Sequence, residues 1–274
     1  MKKIALILAM LLAFSACFVG CNSANVTNTD SVTGTDAVAD VAYVKDNGKL
    51  VVGITDFAPM DYKDDNGNWI GFDADMAKAF AKYLGVEPEF VEINWDNKAM
   101  ELETKAIDVV WNGMTITDEV KGLMGVGTAY CKNMQVVVMK ADKVGQYTTT
   151  DSLKDLKFAA ENGSAGAAAL DALSLKYTAV DTQAKALMEV KSGSVDACVI
   201  DLLMAGAMTG EGTSYADLAS GIAVTDEEEE YGVGFRKNSD LIDEFNKFWD
   251  ASLADGSVKV TAEKYNIAKN IITK

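Results

Sequence analysis

The residue types best suited to chemistry are gathered in the segment 107–119, where a short apolar run is followed by hydroxyl and acidic side chains. The run ends at Asn112 and Gly113, and Thr115 and Thr117 follow. Thr117 is a typical helix N-cap, with acidic residues behind it in the first turn. Because unpaired backbone N–H groups and hydroxyls gather at such a helix start, the segment predicts a seat for an anion such as a carboxylate. This chemistry is that of binding rather than catalysis.

The absence of histidine narrows the chemistry further. It excludes Ser-His-Asp and Cys-His catalysis, histidine-ligated metals and the most common general base near neutral pH. The segment 162–166 resembles a nucleophile elbow, but it begins with asparagine in place of glycine and has no base partner. Residues 64–67 suggest a calcium loop, yet Tyr62 occupies the first ligand position, where a carboxylate is needed. We therefore expect no catalytic residue, no metal and no cofactor.

The overall charge limits the partners of the chain. Its 274 residues carry a formal net charge of −16, from 41 acidic and 25 basic side chains. This charge argues against nucleic acid and anionic membrane surfaces as partners. With 49% hydrophobic and 24% charged residues the composition is typical of a globular protein, and the length allows one large or two smaller domains.

A helix–strand pattern at 100–109 occurs again eighty-eight positions later, at 188–197. In both copies a helical segment is followed by a short turn, an aspartate and an apolar strand. The first strand leads to Asn112 and Gly113, and the second leads to Asp201. Two such units indicate two lobes whose strand ends face one cleft, where open α/β sheets bind ligands. The alternative is chance similarity between two ordinary helix–strand units.

Candidate strands and helices alternate along the chain, which predicts an α/β fold with mainly parallel sheets. Asp73 is predicted to cap one of the helices. Two apolar strands, 135–139 and 231–235, are interpreted as crossings between the lobes. The other predicted elements are strands at 49–54, 90–93, 107–112 and 158–160, and helices at 73–84, 240–254 and 260–267.

The N-terminus has the features of an export signal. Two lysines precede an apolar stretch at 4–14, which is short for a membrane span. The segment 18–21 resembles a lipobox, so we expect residues 1–20 to be a lipoprotein signal peptide and Cys21 to carry the membrane anchor. Cys17 is the rival lipidation site.

Residues 21–41 are rich in small and polar side chains without an apolar period, and they predict a disordered tether. Beyond the anchor the mature chain has two cysteines, Cys131 and Cys198. Although two exported cysteines can pair, these lie in different predicted lobes, so we expect free, buried thiols.

Several separated motifs, in matching order and spacing, resemble the extracellular solute-binding proteins of polar amino-acid ABC transporters. The resemblance extends from about residue 45 to the C-terminus and implies two α/β lobes, joined by two β crossings, that close over one amino acid. The implied lobes are 42–136 with 230–274, and 137–229. Such a protein delivers its ligand to an ABC permease, and we expect a monomer. The motifs are 51–53, 57–60, 71–75, 113–117, 135–138, 195–197 and 230–232.

The resemblance assigns the ligand side chain to two aromatic residues. Phe57 and Trp95 match the family's rings that cover the two faces of the ligand, although large aromatic residues also commonly belong to the core. Asn112 departs from the family's small or aliphatic residues and is expected to hydrogen-bond the ligand side chain. Trp111 also departs, and we expect it in the core.

The charged groups of the ligand are assigned to four further positions. Thr115 and the backbone of Gly113 match the family's contacts with the ligand carboxylate. Ser164 matches a contact from the opposite lobe. Asp201 matches the acid that pairs with the α-ammonium group, where a bound cation keeps a cleft carboxylate charged.

One expected contact is missing. Where the family usually has an arginine that clamps the α-carboxylate, this chain has Val120, and its single arginine, Arg236, lies outside that motif. The possible replacements are Lys121, Lys132, or the helix start with Thr115 alone, and a lysine is less directional than an arginine. The ligand therefore either lacks a free α-carboxylate or binds more weakly.

Two other functions remain open at this stage. Cyclohexadienyl dehydratases share the scaffold, but the lack of histidine and of any obvious general acid beyond Asp201 and Glu101 argues against this function, although carboxylates can act alone. A ligand-sensing lipoprotein is the third possibility, and it would need a separate signalling partner.

Overall fold

A computed structural model describes residues 38–225 and 227–273. The predicted signal peptide, Cys17 and Cys21 lie outside the described residues, as does most of the predicted tether. Every helix in the described part of the chain is too short or too polar to span a bilayer.

Strands and helices alternate through the described chain. The strands are β1 Lys49–Ile54, β2 Tyr62–Lys63, β3 Trp69–Ile70, β4 Glu87–Glu92, β5 Val109–Thr115, β6 Gly125–Val126, β7 Cys131–Asn133, β8 Gln135–Lys140, β9 Phe158–Glu161, β10 Tyr177–Val180, β11 Ala197–Asp201, β12 Leu218–Ala223 and β13 Glu229–Phe235. The α-helices are α1 Asp40–Asn47, α2 Phe72–Leu84, α3 Lys98–Glu103, α4 Asp118–Leu123, α5 Ala165–Ala172, α6 Gln183–Ser192, α7 Leu202–Met208, α8 Leu241–Ala254 and α9 Ser257–Lys264. Short 3₁₀ helices span Trp95–Asn97, Val144–Gln146, Thr150–Leu153 and Ala268–Asn270.

Two sheets define two lobes. The sheet of lobe 1 has the order β4-β1-β5-β13-β6, with β7 also paired to β13, and the sheet of lobe 2 has the order β10-β9-β11-β8-β12. In each sheet the first three strands are parallel, and the others pair antiparallel with their neighbours. The predicted two-lobe α/β fold is confirmed, with mixed rather than mainly parallel sheets. The difference arises because β8 and β13, which follow the crossings, run against the strands beside them.

The crossings occupy short segments before β8 and β13. The first is at Met134, between β7 of lobe 1 and β8 of lobe 2, and the second is the loop between β12 and β13. The predicted crossings at 135–139 and 231–235 were therefore placed too late. Residues 135–136 belong to lobe 2, because β8 pairs with β11 from Gln135 onward, and Glu229 belongs to lobe 1, because it pairs with Asn133.

The repeated helix–strand pattern serves the same structural purpose in both lobes. Asp108 accepts a hydrogen bond from the backbone N–H of Val51 at 3.0 Å, and Asp196 accepts one from the backbone N–H of Lys157 at 2.9 Å. Each aspartate therefore joins the start of its strand to the neighbouring strand. The first strand was predicted to stop at Asn112 and Gly113, but β5 continues through Gly113 to Thr115.

The folded unit begins earlier than the predicted tether allows. Val38 forms a bridge with Ser239, and α1 starts at Asp40, so the assignment of 21–41 to a disordered tether is wrong at its C-terminal end. The buried Arg236 guanidinium donates to Asp40 at 2.9 Å and to Asp108 at 3.0 Å. This ion pair holds α1 against lobe 1, because a buried arginine needs such partners.

Aromatic rings fill the core of lobe 1. Trp111 is fully buried, and its ring lies 5.2 Å from that of Phe245, as the prediction of a core position for Trp111 requires. Cys131 and Cys198 are free and buried, which confirms the prediction for both thiols.

Candidate functional site

A pocket lies between the two lobes, where strand ends from both sheets meet. Lobe 1 and lobe 2 both contribute side chains, and all seven predicted ligand-binding residues line it. The lining residues of lobe 1 are Thr55, Phe57, Trp95, Lys98, Asn112, Gly113, Met114, Thr115, Thr117, Glu119, Val120 and Leu123. Those of lobe 2 are Glu161, Gly163, Ser164, Ala165, Ala168, Gln183 and Asp201. The structure brings the predicted residues together, while their contacts with a ligand stay predictions.

Phe57 forms one apolar wall of the pocket. Its ring is 2% exposed and packs edge-on against Tyr231, with 6.3 Å between ring centroids. Gly113 makes this position possible, because a Cβ atom there would lie 2.3 Å from Phe57 Cε1 and the glycine has a φ of +55°.

Trp95 forms a second apolar wall. It is 7% exposed and belongs to a cluster with Leu102, Met114 and Val120. Asn94 caps the 3₁₀ turn that starts at Trp95 by accepting the N–H of Asp96.

The backbone N–H of Gly113, predicted to meet the ligand carboxylate, already has a partner. It donates to Asp73 Oδ2 at 2.7 Å, and Tyr130 Oη donates to the same oxygen at 2.7 Å. The prediction that Asp73 caps a helix is wrong, since α2 begins after Gly71 with no side-chain cap. Asp73 instead turns its carboxylate inward to the strand that carries Gly113.

Two further donors of the predicted anion seat are also occupied. Thr115 Oγ1 donates to Glu229 Oε2 at 3.2 Å, and the backbone N–H of Val120 donates to Thr117 Oγ1 at 3.1 Å. Thr117 is the predicted N-cap of α4, which is confirmed. Because these donors are satisfied within lobe 1, a ligand carboxylate would have to compete for them.

Asn112 lines the pocket, but its amide is used inside lobe 1. Its Oδ1 accepts from the N–H and the hydroxyl of Thr55 at 2.8 and 2.7 Å. Its Nδ2 donates to the carbonyl of Thr55 at 3.1 Å and to Asp61 Oδ2 at 2.7 Å. These four hydrogen bonds use both lone pairs of Oδ1 and both hydrogens of Nδ2. Asn112 therefore has no atom left for the predicted hydrogen bond to a ligand side chain.

The lysine that lines the pocket is Lys98, which the sequence analysis missed. The two candidates named there lie elsewhere: Lys121 is paired with Asp118, and Lys132 with Glu228. Lys98 follows Trp95 by three residues, the spacing of one helical turn, which was the available signal.

Lys98 also connects the lobes. Its Nζ lies 4.8 Å from the Trp95 ring centroid and donates to the carbonyl oxygens of Trp95 at 3.2 Å and of Gly163, in lobe 2, at 3.1 Å. Beside it, Asn162 Nδ2 donates to Asp96 Oδ2 at 3.0 Å. These two contacts join the start of α3 to the turn after β9, which places the lobes in direct contact beside the pocket.

Ser164 marks the start of α5 in lobe 2. Its Oγ accepts the N–H of Ala167 at 3.1 Å as the helix N-cap, and the residue faces the pocket. The hydroxyl hydrogen stays available as a donor, since capping uses only a lone pair.

Asp201 is the most heavily hydrogen-bonded acid of the pocket. Its carboxylate accepts from Tyr231 Oη at 2.7 Å, from Gln135 Nε2 at 2.9 Å, and from the side-chain amides of Asn133 and Gln183. Burial raises the pKa of Asp201 to about 6, although these hydrogen bonds lower it.

Glu161 is a second acid that the sequence analysis missed. It ends β9, is 3% exposed and lines the same pocket. Its Oε1 is buried and accepts no hydrogen bond from the described residues. Burial, followed by the charge of Asp201, raises the pKa of Glu161 to about 8. The available signal was its position, since Glu161 ends a buried strand just as Asp201 does.

The pocket thus combines two aromatic walls, two buried acids and one lysine. Such an arrangement suits a small ligand with an apolar or planar part and an amine. Among the described residues, no group of three or more cysteine or carboxylate side chains is arranged to hold a metal ion.

Similar proteins share both the sequence pattern and the fold. The chain is 30% identical over 230 residues to the L-cystine-binding protein TcyJ of Escherichia coli K12, covering 81% of this chain and 84% of that protein. It is 31% identical over 227 residues to the arginine-binding extracellular protein ArtP of Bacillus subtilis 168, covering 79% and 86%.

Solved structures show the same two-lobe architecture. A structure of ArgBP from T. maritima matches with a TM-score of 0.77 at 33% identity, covering 82% of this chain and 98% of that one. The ancestral amino acid-binding protein AncCDT-1, a precursor of cyclohexadienyl dehydratase, matches with a TM-score of 0.75 at 31% identity, covering 83% and 99%. Residues 50–268 match the family model of the bacterial extracellular solute-binding proteins, family 3, and the chain belongs to that family.

Proposed function

We propose that this protein captures one amino acid, or a close derivative, in the pocket between its lobes and delivers it as a monomer to the permease subunits of an ABC transporter. The observation that carries the proposal is the convergence of the two aromatic walls and the buried acids on a single pocket between the lobes. Family membership places its action outside the cytoplasm.

The placement of the pocket at the crossings supports capture by closure. Asp201 accepts from Asn133, which precedes the first crossing, and from Tyr231, which follows the second. A ligand that binds at this end of the pocket therefore touches side chains connected to both crossings. Closure of two lobes over a ligand is a common hinge motion in such proteins.

The expected contacts of the ligand follow from the shape and charge of the aromatic end and of the acid end of the pocket. The aromatic walls at Phe57 and Trp95 would enclose the ligand side chain. The amine would face the acid end, where Asp201 was predicted to bind it, and Ser164 would donate its hydroxyl from lobe 2.

The ligand is sought among the free amino acids. Melting of the purified protein is followed with each of the twenty L-amino acids and with L-cystine, and any stabilising compound is then titrated by calorimetry. A ligand at one hundred times its Kd stabilises the native state by about 2.7 kcal/mol. If none of these compounds stabilises the protein, the proposal fails for free amino acids.

The protein is proposed to be held at the membrane by a lipid on Cys21. A cysteine that carries two acyl chains gives stable anchoring, whereas one chain is marginal. Cys21→Ala should move the protein from the membrane fraction to the medium, with Cys17→Ala as the matched control. Release by Cys17→Ala alone would identify the other cysteine as the anchor.

Binding without catalysis is proposed for the pocket. Glu101, one of the two acids considered for catalysis, does not line it, and the hydroxyl oxygen of Ser164 caps α5. The buried acids that line the pocket are Glu161 and Asp201, so a dehydratase on this scaffold would use them. Recovery of the bound compound unchanged after prolonged incubation supports a binding protein, and conversion of the compound identifies an enzyme.

A further inference from the structure

We propose that Glu161 is the direct acceptor for the ammonium group of the ligand, while Asp201 mainly joins the pocket to the two crossings. This inference rests on the proposed function, because it names the contact that an amine-bearing ligand makes in the pocket. It assigns the amine to an acid that the resemblance did not point to.

The first argument is that Asp201 already accepts four hydrogen bonds. An ionised carboxylate has about four lone-pair positions for donors. Three donors reach Oδ1 of Asp201, from Asn133, Gln135 and Tyr231, and one reaches Oδ2, from Gln183. An ammonium group at Asp201 would compete with these four donors, because only Oδ2, which accepts one hydrogen bond, keeps a lone-pair position.

The second argument is that Glu161 is open. Its carboxylate is buried, and Oε1 has no donor among residues 38–225 and 227–273. A buried polar group without a partner is costly, so native proteins rarely keep one without a functional reason. An ammonium group in the pocket supplies Oε1 with a donor, which the described residues do not.

The surroundings of Glu161 leave this place for the ligand. Lys98, the lysine in the pocket lining, directs its Nζ to the carbonyl oxygens of Trp95 and Gly163. Gln183 lies beside both acids: its Nε2 donates to Asp201, and it also lowers the pKa of Glu161 by hydrogen bonding, as the charge of Lys98 does. Oε1 of Glu161 nevertheless has no donor among the described residues, and the charge of Asp201 adds to the attraction for a cation.

Three donors predicted for a ligand carboxylate are therefore already used, whereas an acceptor for an amine is open. On the lobe 1 side the donors at Gly113, Thr115 and Val120 are occupied. On the lobe 2 side an acceptor is open. Ligands with a positively charged amine, including those whose carboxylate is blocked as an amide, fit this pattern.

The test compares two isosteric variants, Glu161→Gln and Asp201→Asn, with Glu211→Gln as a matched control. Glu211 is exposed in lobe 2 and does not line the pocket, so its variant removes the same charge without changing the pocket. The probe is L-arginine, replaced by L-histidine or L-cystine if one of these stabilises the wild-type protein more. Affinity is measured by calorimetry and stability by the melting temperature of the ligand-free protein.

We expect Glu161→Gln to raise the Kd by at least about 100-fold, because the ammonium loses its buried counter-charge, and to melt no earlier than the wild type. Asp201→Asn should lower the melting temperature by several degrees, since it disturbs four hydrogen bonds. Glu211→Gln should stay within about threefold in Kd. Glu161→Met, which has no polar oxygen, serves as a second variant and should lose binding similarly.

An unchanged Kd in a folded Glu161→Gln protein would overturn the inference. So would an Asp201→Asn variant that loses binding at an unchanged melting temperature, because Asp201 would then be the acceptor. Failure of the proposed function has a different signature, in which the wild-type protein binds none of the amino acids tested.

Discussion

Lys98 Nζ, in lobe 1, donates a hydrogen bond across 3.1 Å to the carbonyl oxygen of Gly163, in lobe 2. The lysine lies over the Trp95 ring, so this contact fixes one wall of the pocket and the opposite lobe at the same time. With the neighbouring bond from Asn162 to Asp96, it forms what we call the inter-lobe latch. The latch ties closure of the lobes to the position of a ligand-facing aromatic residue.

Lys98→Met should weaken ligand binding by about tenfold to 100-fold. A hydrogen bond to a charged group contributes about 1.5–3 kcal/mol, and here it favours the closed arrangement that retains the ligand. Calorimetry gives the affinity, and small-angle X-ray scattering shows whether the ligand still makes the protein more compact. Lys121→Met is the control, because Lys121 is exposed and lies outside the pocket lining. Equal affinities for the two variants would show that the inter-lobe latch does not contribute to ligand binding.

Gly163→Ala should hinder closure of the lobes. Gly163 has a φ of +68°, and an added Cβ would lie 2.6 Å from Asp96 Oδ1 in the other lobe. Gly193→Ala is a close control, since Gly193 has a φ of +80° with no atom within 4 Å of the added Cβ. Both variants should lose about 1–2 kcal/mol of unfolding free energy from backbone strain, while only Gly163→Ala should lose affinity, by at least about tenfold. Equal affinities in the two variants would contradict this prediction.

Asp61→Asn should stabilise the protein near neutral pH. Burial and the nearby charge of Asp73 raise the pKa of Asp61 well above its usual value, and burial raises the pKa of Asp73 to about 7. The folded state therefore keeps protons that the unfolded chain releases above about pH 4, so stability falls as the pH rises toward 7. The variant should gain at least about 1 kcal/mol at pH 7, because one pKa unit corresponds to about 1.4 kcal/mol.

Denaturant unfolding between pH 4 and pH 8 measures this effect. Asp75→Asn is the opposite control, since hydrogen bonds from Lys264, Tyr265 and Lys78 lower the pKa of Asp75. Removal of the Asp75 charge should cost stability at pH 7, and this loss should stay nearly constant down to pH 4, because the pKa of Asp75 lies below its usual value of 3.8. A flat pH dependence in the wild-type protein would show that Asp61 and Asp73 are not held protonated.

Val120→Arg should weaken binding instead of restoring the family's carboxylate clamp. Val120 is 6% exposed and packs with Trp95 and Met114, so a larger charged side chain has to displace the wall or enter the pocket. Titration of wild type and variant with one amino acid and with its amide separates the outcomes. Leu123→Arg is the control, because Leu123 also lines the pocket but is 54% exposed. Tighter binding of the free acid by Val120→Arg, without loss of the amide, would disprove this view of Val120.

The architecture was predictable because it follows from local patterns. The repeated aspartates at 108 and 196 marked equivalent strands, and the short motifs around Phe57, Thr115 and Asp201 indicated which strand ends meet. The crossings were predicted a few residues too late, since an apolar strand has the same sequence pattern on either side of a hinge. The core position of Trp111 followed from its place in a continuous apolar run.

The hydrogen-bond partners inside the site were not predictable in the same way. The N–H of Gly113 is occupied by Asp73, forty residues earlier in the chain, and the amide of Asn112 by Thr55 and Asp61. Whether an acid is open or saturated depends on distances set by tertiary packing. For this reason the sequence indicated Asp201 as a site residue but did not indicate Glu161, although both residues end buried strands.

Native mass spectrometry of the protein, purified without added ligand and then exposed to a mixture of free amino acids, tests capture most directly. We expect one small amine-bearing compound for each protein molecule, released unchanged on unfolding, and its absence from the Glu161→Gln variant treated identically. A wild-type protein that retains no compound, or that releases a chemically altered one, would contradict amino-acid capture in this pocket.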